Sequence, residues 1–106
     1  MTLPIEGASG RHYDYTPVDP NNIGPLFLAA ANYVFLRWNA PTQFKVIYAG
    51  EGSLYEMLTH RQPSLWATAQ QKFQATALYA RPNGKEESRK EEQNDIVKLH
   101  EPPMNA

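Results

Sequence analysis

The sequence predicts an α+β domain with a small central three-stranded mixed sheet flanked by helices, and three observations lead to this fold class. The second half of segment 26–38 and segment 44–50 are rich in apolar, aromatic and β-branched residues, which favour strands. Two stretches with helical spacing of apolar residues follow, and a third strand-like segment, "ATALYA", comes after them. A charged final stretch is typical of a solvated helix. This order fits a small sheet with helices packed against it.

Composition limits the chemistry that the chain can perform. The 106 residues allow one domain and include no cysteine, which excludes disulfides, thiolate catalysis and cysteine-based zinc sites. The net charge of -1 gives no overall basic field for nucleic acid. The longest apolar run, "GPLFLAAA", is far shorter than the roughly 18 residues of a membrane span. The first 20 residues lack a secretory signal pattern, so we expect a cytoplasmic protein that does not contact a membrane.

The first strands are expected to follow an N-terminal arm. Residues 1–24 are rich in Pro, Gly, Asn and Asp and are predicted to lie over a domain formed by residues 25–106, with "RHYDYTPV" as a possible edge strand. The segment "NAPTQ" separates the strand ending near Trp38 from the strand that starts at Phe44. Five connecting residues suit a hairpin.

Capping residues place the first two helices. Ser53 is a suitable N-cap, and Leu54, Met57 and Leu58 recur at three- and four-residue steps until Pro63 ends the helix. A second helix is expected from residue 64 to about residue 73.

The last helix is expected to start after "RPNG". Asn83 and Glu86 form an approximate capping box, and Glu86 can pair with Lys90 one turn later. Pro102 cannot continue the helix.

This order of elements resembles the GIY-YIG nuclease superfamily. "ANYVF" stands where the family has "GIY", "IYAG" where it has "YIG", and "EEQNDIVKLHEPPMN" resembles the family's terminal helix and closing asparagine. The segment "HRQPSLWATA" is similar to a connection in small bacterial members. The similarity covers about residues 31 to 105.

The resemblance implies a GIY-YIG-like endonuclease that hydrolyses DNA phosphodiester bonds with one Mg²⁺ or Mn²⁺ ion. A tyrosine or a water that it activates supports the attack, an arginine stabilises charge on the phosphate, and a glutamate holds the cation. Tyr33 and Tyr48 match the tyrosines, whose hydroxyl groups are expected to meet. Asn105 matches the closing asparagine.

Two family positions carry other residues. The alignment puts the arginine at Met57 and the glutamate at Gln93, a neutral amide and a poor ligand for a hard cation. Arg61 lies one helical turn after Met57, and with its neighbour His60 it is a candidate to supply the missing positive charge. Glu92 is the candidate metal ligand.

An alternative remains open: a catalytically degenerate GIY-YIG fold that binds DNA or a protein. Weak or nonspecific DNA contacts are then expected from basic residues, with Arg61 joined by Lys45, Lys72, Arg81 and Arg89. Each site residue also has a purely structural interpretation: the tyrosines as strand aromatics, Glu92 as part of a charged helix face, and Gln93 as a helix residue with no chemical role. Asn105 is expected either to be a tail residue or to tie the tail to the hairpin.

Overall fold

A computed structural model describes residues 2–23 and 29–106, with the side chain of Arg61 excepted. Five strands are present in the described ranges: β1 Leu3–Glu6, β2 His12–Val18, β3 Ala30–Ala40, β4 Gln43–Ser53 and β5 Ala77–Pro82. The helices are α1 Leu54–Glu56, which continues as a π-helical turn Met57–Arg61, then α2 Ser64–Phe73, α3 Glu86–His100 and a 3₁₀ turn Pro103–Asn105. The predicted boundary between arm and domain at residues 24 and 25 lies outside the described residues.

The strands form one antiparallel sheet in the order β1-β2-β5-β3-β4. The predicted small three-stranded mixed sheet is therefore wrong, although the domain does combine a sheet with helices. The segment predicted as an arm supplies β1 and β2. Each of these strands contributes one fully buried side chain, Ile5 from β1 and Tyr15 from β2. Their sequences therefore show little apolar patterning.

Helices cover both faces of the sheet and create two core clusters. Leu65, Trp66 and Phe73 of α2 pack on one face, where Phe35 is fully buried. Ile96 of α3 packs on the other face. Because β3 lies between these two layers, six consecutive residues from 31 to 36 are buried, and all of them except Asn32 are apolar or aromatic.

A β-bulge in the β3–β4 hairpin positions the middle of β4. Phe35 lies opposite Tyr48, but Leu36 lies opposite Val46, so Ile47 is the extra residue. Ile47 and Tyr48 consequently both contact the α2-side cluster. Bulges commonly redirect a side chain in this way next to functional sites.

Most predicted helix limits are confirmed. The Ser53 hydroxyl accepts a hydrogen bond from the Glu56 N–H at 3.2 Å, and the helical segment ends at residue 61, before Pro63. The predicted cap of the last helix is wrong, because α3 begins at Glu86 and Asn83 instead accepts a hydrogen bond from the Lys85 N–H. Among the described residues, no helix has the length and apolarity to span a membrane.

Candidate functional site

Tyr33 and Tyr48 lie side by side on β3 and β4. Their ring centroids are 6.3 Å apart and the rings are inclined by 53°. Tyr33 is 4% exposed, while Tyr48 is half-buried. Burial, and secondarily the negative charge of Glu51, raise the pKa of Tyr48, so its phenol is protonated at neutral pH.

Gly50 allows the Tyr33 ring to take this position. Tyr33 and Gly50 are directly opposite in the hairpin, and a Cβ atom on Gly50 would lie 2.5 Å from Tyr33 Cζ and 2.8 Å from its hydroxyl oxygen. Glycine within a strand often marks such a close approach. The ring of Tyr33 therefore lies against the bare backbone of β4.

A cavity of about 340 Å³ opens beside the two phenols. We call it the tyrosine cavity. Its lining consists of two phenols, one carboxylate, two carboxamides and one thioether: Tyr33, Tyr48, Glu51, Gln62, Gln93 and Met57. The cavity thus brings together residues from β3, β4, the π-helical turn, the position directly after that turn, and α3.

Two amide side chains hold the outer edge of β4 beside this cavity. Asn105 Oδ1 accepts a hydrogen bond from Ala49 N at 2.8 Å, and Asn105 Nδ2 donates to Ala49 O at 2.9 Å. Gln93 Nε2 also donates to Ala49 O, at 3.0 Å. The Asn105 amide thus pairs with β4 as a neighbouring strand would, and it ties the chain end to the hairpin.

Glu51 and Arg89 form an ion pair at the cavity. Arg89 Nε donates to Glu51 Oε1 at 3.0 Å. The side chain of Arg89 is 12% exposed and that of Glu51 is 22% exposed. Arg89 also donates to the backbone carbonyl of Asn83 at 3.1 Å. Arg89 itself does not line the cavity, so its guanidinium pairs with Glu51 from outside the lining.

Glu92, the predicted metal ligand, makes other contacts. Its carboxylate accepts a hydrogen bond from the Tyr15 hydroxyl at 2.6 Å and pairs with Arg81 at 2.7 Å. The Glu92 side chain is 2% exposed and does not line the tyrosine cavity. Burial raises its pKa, although the Tyr15 hydrogen bond and the Arg81 charge act in the opposite direction.

The predicted catalytic residues of the π-helical turn are not brought to the cavity by any described contact. His60 is exposed and does not line it. The side chain of Arg61 lies outside the described part of the chain. Met57, in contrast, is 3% exposed and lines the cavity.

The predicted DNA-contacting residues fall into two groups. Arg81 and Arg89 are engaged by the carboxylates of Glu92 and Glu51. Lys45 on β4 and Lys72 on α2 are exposed. Two of these four positive charges are thus compensated within the fold.

A second, more open groove lies on the other side of α3. It is about 640 Å³ and is lined by residues that include Ser9, Tyr13 and Asp95. Asp95 accepts hydrogen bonds from Ser9 N at 2.8 Å, Ser9 Oγ at 2.6 Å and the Tyr13 hydroxyl at 2.8 Å. These contacts fasten the β1–β2 turn to α3, so Asp95 has a structural role.

Sequence reasoning assigned no role to Gly50, Glu51 or Gln62. The signal available for Gly50 was its position inside an apolar strand. Glu51 and Gln62 are ordinary polar residues in the sequence, and only the fold brings them together with the tyrosines. The chain matches no protein-family model, and neither a curated protein nor a solved structure matches it.

Proposed function

We propose that the protein is a GIY-YIG-like domain that binds a partner protein and does not hydrolyse phosphodiester bonds. One observation carries the proposal. Met57 and Gln93, which occupy the positions where the resemblance expects arginine and glutamate, line the same cavity as Tyr33 and Tyr48. A shared location of these four positions is what the resemblance implies. Met57 and Gln93 carry no charge, whereas hydrolysis would require a positive and a negative charge at their positions.

The remaining groups are poorly suited to hydrolysis. A hard divalent cation prefers several oxygen ligands, and no three His, Cys, Asp or Glu side chains cluster anywhere in the described ranges. Glu92 is engaged by Tyr15 and Arg81. Loss of a metal ion and of a phosphate-binding arginine each removes several kcal/mol of transition-state stabilisation, roughly 3–4 kcal/mol for a single electrostatic contact.

A protein partner is favoured over DNA by charge and by surface composition. The ion pairs of Arg81 and Arg89 reduce the positive charge available for phosphates. Tyr55, two residues before Met57, is 40% exposed, and exposed aromatic residues are enriched where proteins bind one another. We infer that the surface around Tyr55 meets the partner.

Plasmid nicking and DNA mobility assays test the negative part of the proposal. We expect no nicking above the buffer level with Mg²⁺ or Mn²⁺, and the same result for Tyr48→Phe and Glu92→Gln. Nicking by the wild type that disappears in Tyr48→Phe would establish a nuclease. A steeply salt-dependent mobility shift would establish a DNA-binding protein.

Affinity capture from cell extract, with binding quantified for one purified captured protein, tests the positive part. Tyr55→Ser is expected to weaken this binding at least tenfold. Leu99→Ser is the matched control, because Leu99 is similarly exposed, at 46%, but lies on α3. Equal binding by wild type and Tyr55→Ser would overturn the assigned surface.

A further inference from the structure

The tyrosine cavity has one formal charge on its described lining, and that charge is negative. Glu51 is its carboxylate, and the other lining residues are phenols, carboxamides and a thioether. The phenol of Tyr48 stays protonated because burial raises its pKa. Arg89 lies 3.0 Å from Glu51, outside the lining, and compensates much of this charge. The preference for a cation therefore depends on the acceptor sites that Glu51 still offers and on the aromatic rings.

Glu51 can accept further hydrogen bonds. A carboxylate offers about four acceptor sites on two oxygens, and the described partner of Glu51 is Arg89 Nε, which contacts Oε1 at 3.0 Å. The side chain is 22% exposed, so it also meets solvent. A ligand with several N–H groups could thus bind Glu51 while the pair with Arg89 stays intact.

The two aromatic walls reinforce the preference for a cation. The rings of Tyr33 and Tyr48 both line the cavity, with centroids 6.3 Å apart. The face of a tyrosine ring attracts an ammonium or guanidinium group within about 6 Å of its centroid. Phe35, whose ring centroid is 5.3 Å from that of Tyr48, supports this wall from behind.

The amides supply acceptors. Gln93 Nε2 donates to Ala49 O, and no described residue donates a hydrogen bond to the amide oxygen of Gln93, so this oxygen can accept one from a ligand. Gln62 adds a second carboxamide. The volume of about 340 Å³ lies at the small end of ligand pockets, roughly 300–1,000 Å³, and suits a single side chain.

We propose that the tyrosine cavity binds an organic cation, the guanidinium or ammonium group of an arginine or lysine side chain on the partner protein. This inference rests on the proposed function, because the partner supplies the side chain. Glu51 pairs with the cation, the tyrosine faces line it, and the amide oxygens of Gln62 and Gln93 accept its N–H groups.

Titration of the ¹⁵N-labelled full chain with N-acetyl-arginine amide tests the inference. We expect saturable shifts of the Gln93 side-chain NH₂ and of the Glu51 amide. N-acetyl-citrulline amide has the same shape without the charge, and it should bind at least tenfold more weakly. N-acetyl-lysine amide tests the ammonium group, and inorganic phosphate should not shift these signals.

Variants locate the site. Glu51→Gln is expected to weaken arginine amide binding at least tenfold, whereas Glu87→Gln, the same charge change at an exposed position of α3, should leave it unchanged. If Glu51→Gln fails to fold, the wild-type affinities for arginine amide and citrulline amide still decide whether the cavity selects a cation. Equal binding of these two compounds, or no binding of either cation up to about 10 mM, would overturn the inference.

A titration with a short peptide distinguishes the source of the cation. It also separates this inference from the proposed function. A short peptide with one central arginine should bind more tightly than the capped amino acid if the cation belongs to a protein, whereas equal affinity would overturn the assignment to a partner protein. If arginine amide binds no more tightly than citrulline amide while partner binding still depends on Tyr55, only the cation site would be refuted. Metal-dependent DNA cleavage would refute the proposed function itself.

Discussion

The ring of Tyr33 lies directly against the backbone of Gly50 on the neighbouring strand, with 2.5 Å between Tyr33 Cζ and the place where a Cβ atom of residue 50 would be. Because Tyr33 lines the tyrosine cavity, this relationship fixes the position of one of its walls. Any side chain at residue 50 must displace the phenol, because the clash is with a buried ring and not with a flexible chain end.

Gly50→Ala is therefore expected to destabilise the fold by about 1–3 kcal/mol, the usual cost of overpacking a core. It should also weaken ligand binding in the cavity, since Tyr33 must move. Urea unfolding measures the first effect. Gly84→Ala is the control, because a Cβ atom there meets nothing within 4 Å; equal stability of the two variants would contradict this account.

Asn105→Ala is expected to reduce the free energy of unfolding by about 1–2 kcal/mol, because it removes two hydrogen bonds to Ala49 that each contribute roughly 1 kcal/mol. The Ala49 amide should also exchange its hydrogen faster, since its described acceptor is lost. Hydrogen exchange followed by NMR measures this. Asn22→Ala, at an exposed turn position, should change neither quantity, and unchanged Ala49 exchange in Asn105→Ala would refute the role of the amide.

The strands that could be predicted are those with core on both faces. Segment 31–36 of β3 is buried throughout, so its sequence is apolar or aromatic at every position except Asn32, and this pattern predicted the strand and its hairpin with β4. The segment "RHYDYTPV", predicted as a possible edge strand, does form β2, but it lies inside the sheet between β1 and β5. β1 was not predicted, because Pro4 interrupts it and it depends on pairing with β2. Tertiary contacts, and not local preference, place these two strands in the sheet.

At the candidate site, too, some residues could be predicted from the sequence and others could not. The order of motifs along the chain led to Tyr33, Tyr48 and Gln93, and all three line one cavity. Glu92 could not be distinguished from Gln93 by helical geometry, because both lie close to the core-facing side of α3. The Tyr15 hydroxyl and Arg81 determine where Glu92 points, and they come from two different strands, β2 and β5.

Glu92 is expected to make stability depend on pH. Burial raises its pKa, so the folded state holds the proton more tightly than the unfolded state. The contribution of Glu92 to stability is then complete below the ordinary value of 4.5 and is lost as the pH rises through the raised folded-state pKa. Glu92→Gln cannot titrate, so the stability of wild type relative to this variant should fall as the pH rises from 4 to 8.

Urea unfolding at several pH values measures this difference. Tyr15→Phe offers a second check, because it removes a hydrogen bond that lowers the pKa of Glu92 and should therefore steepen the fall. A difference that grows with pH would show that the charged form is the one stabilised by the fold.

Asp95→Asn is expected to loosen the β1–β2 turn. Hydrogen bonds from Ser9, opposed by slight desolvation and assisted by Tyr13, lower the pKa of Asp95. Its contribution is therefore present above the ordinary value of 3.8 and is lost as the pH falls through the folded-state pKa. Amide exchange of Ser9 should accelerate severalfold in the variant at neutral pH, and in the wild type on acidification.

The matched control for this variant is Asp14→Asn, the same substitution at an exposed position of β2. It should leave the exchange of Ser9 unchanged. Equal acceleration in both variants would mean that general charge, and not the specific contacts of Asp95, holds the turn.

We expect Gln93→Glu to create a metal-binding site in the tyrosine cavity, and we expect no such binding in the wild type. The substitution places a second carboxylate beside Glu51 on the same cavity, and paired carboxylates are good ligands for Mn²⁺. It also removes the hydrogen bond to Ala49 O, at a cost of about 1–3 kcal/mol in stability. Calorimetry with Mn²⁺ should show saturable binding for Gln93→Glu and none for the wild type. Gln70→Glu, at an exposed position of α2, controls for charge alone, and tight Mn²⁺ binding by the wild type would contradict this prediction.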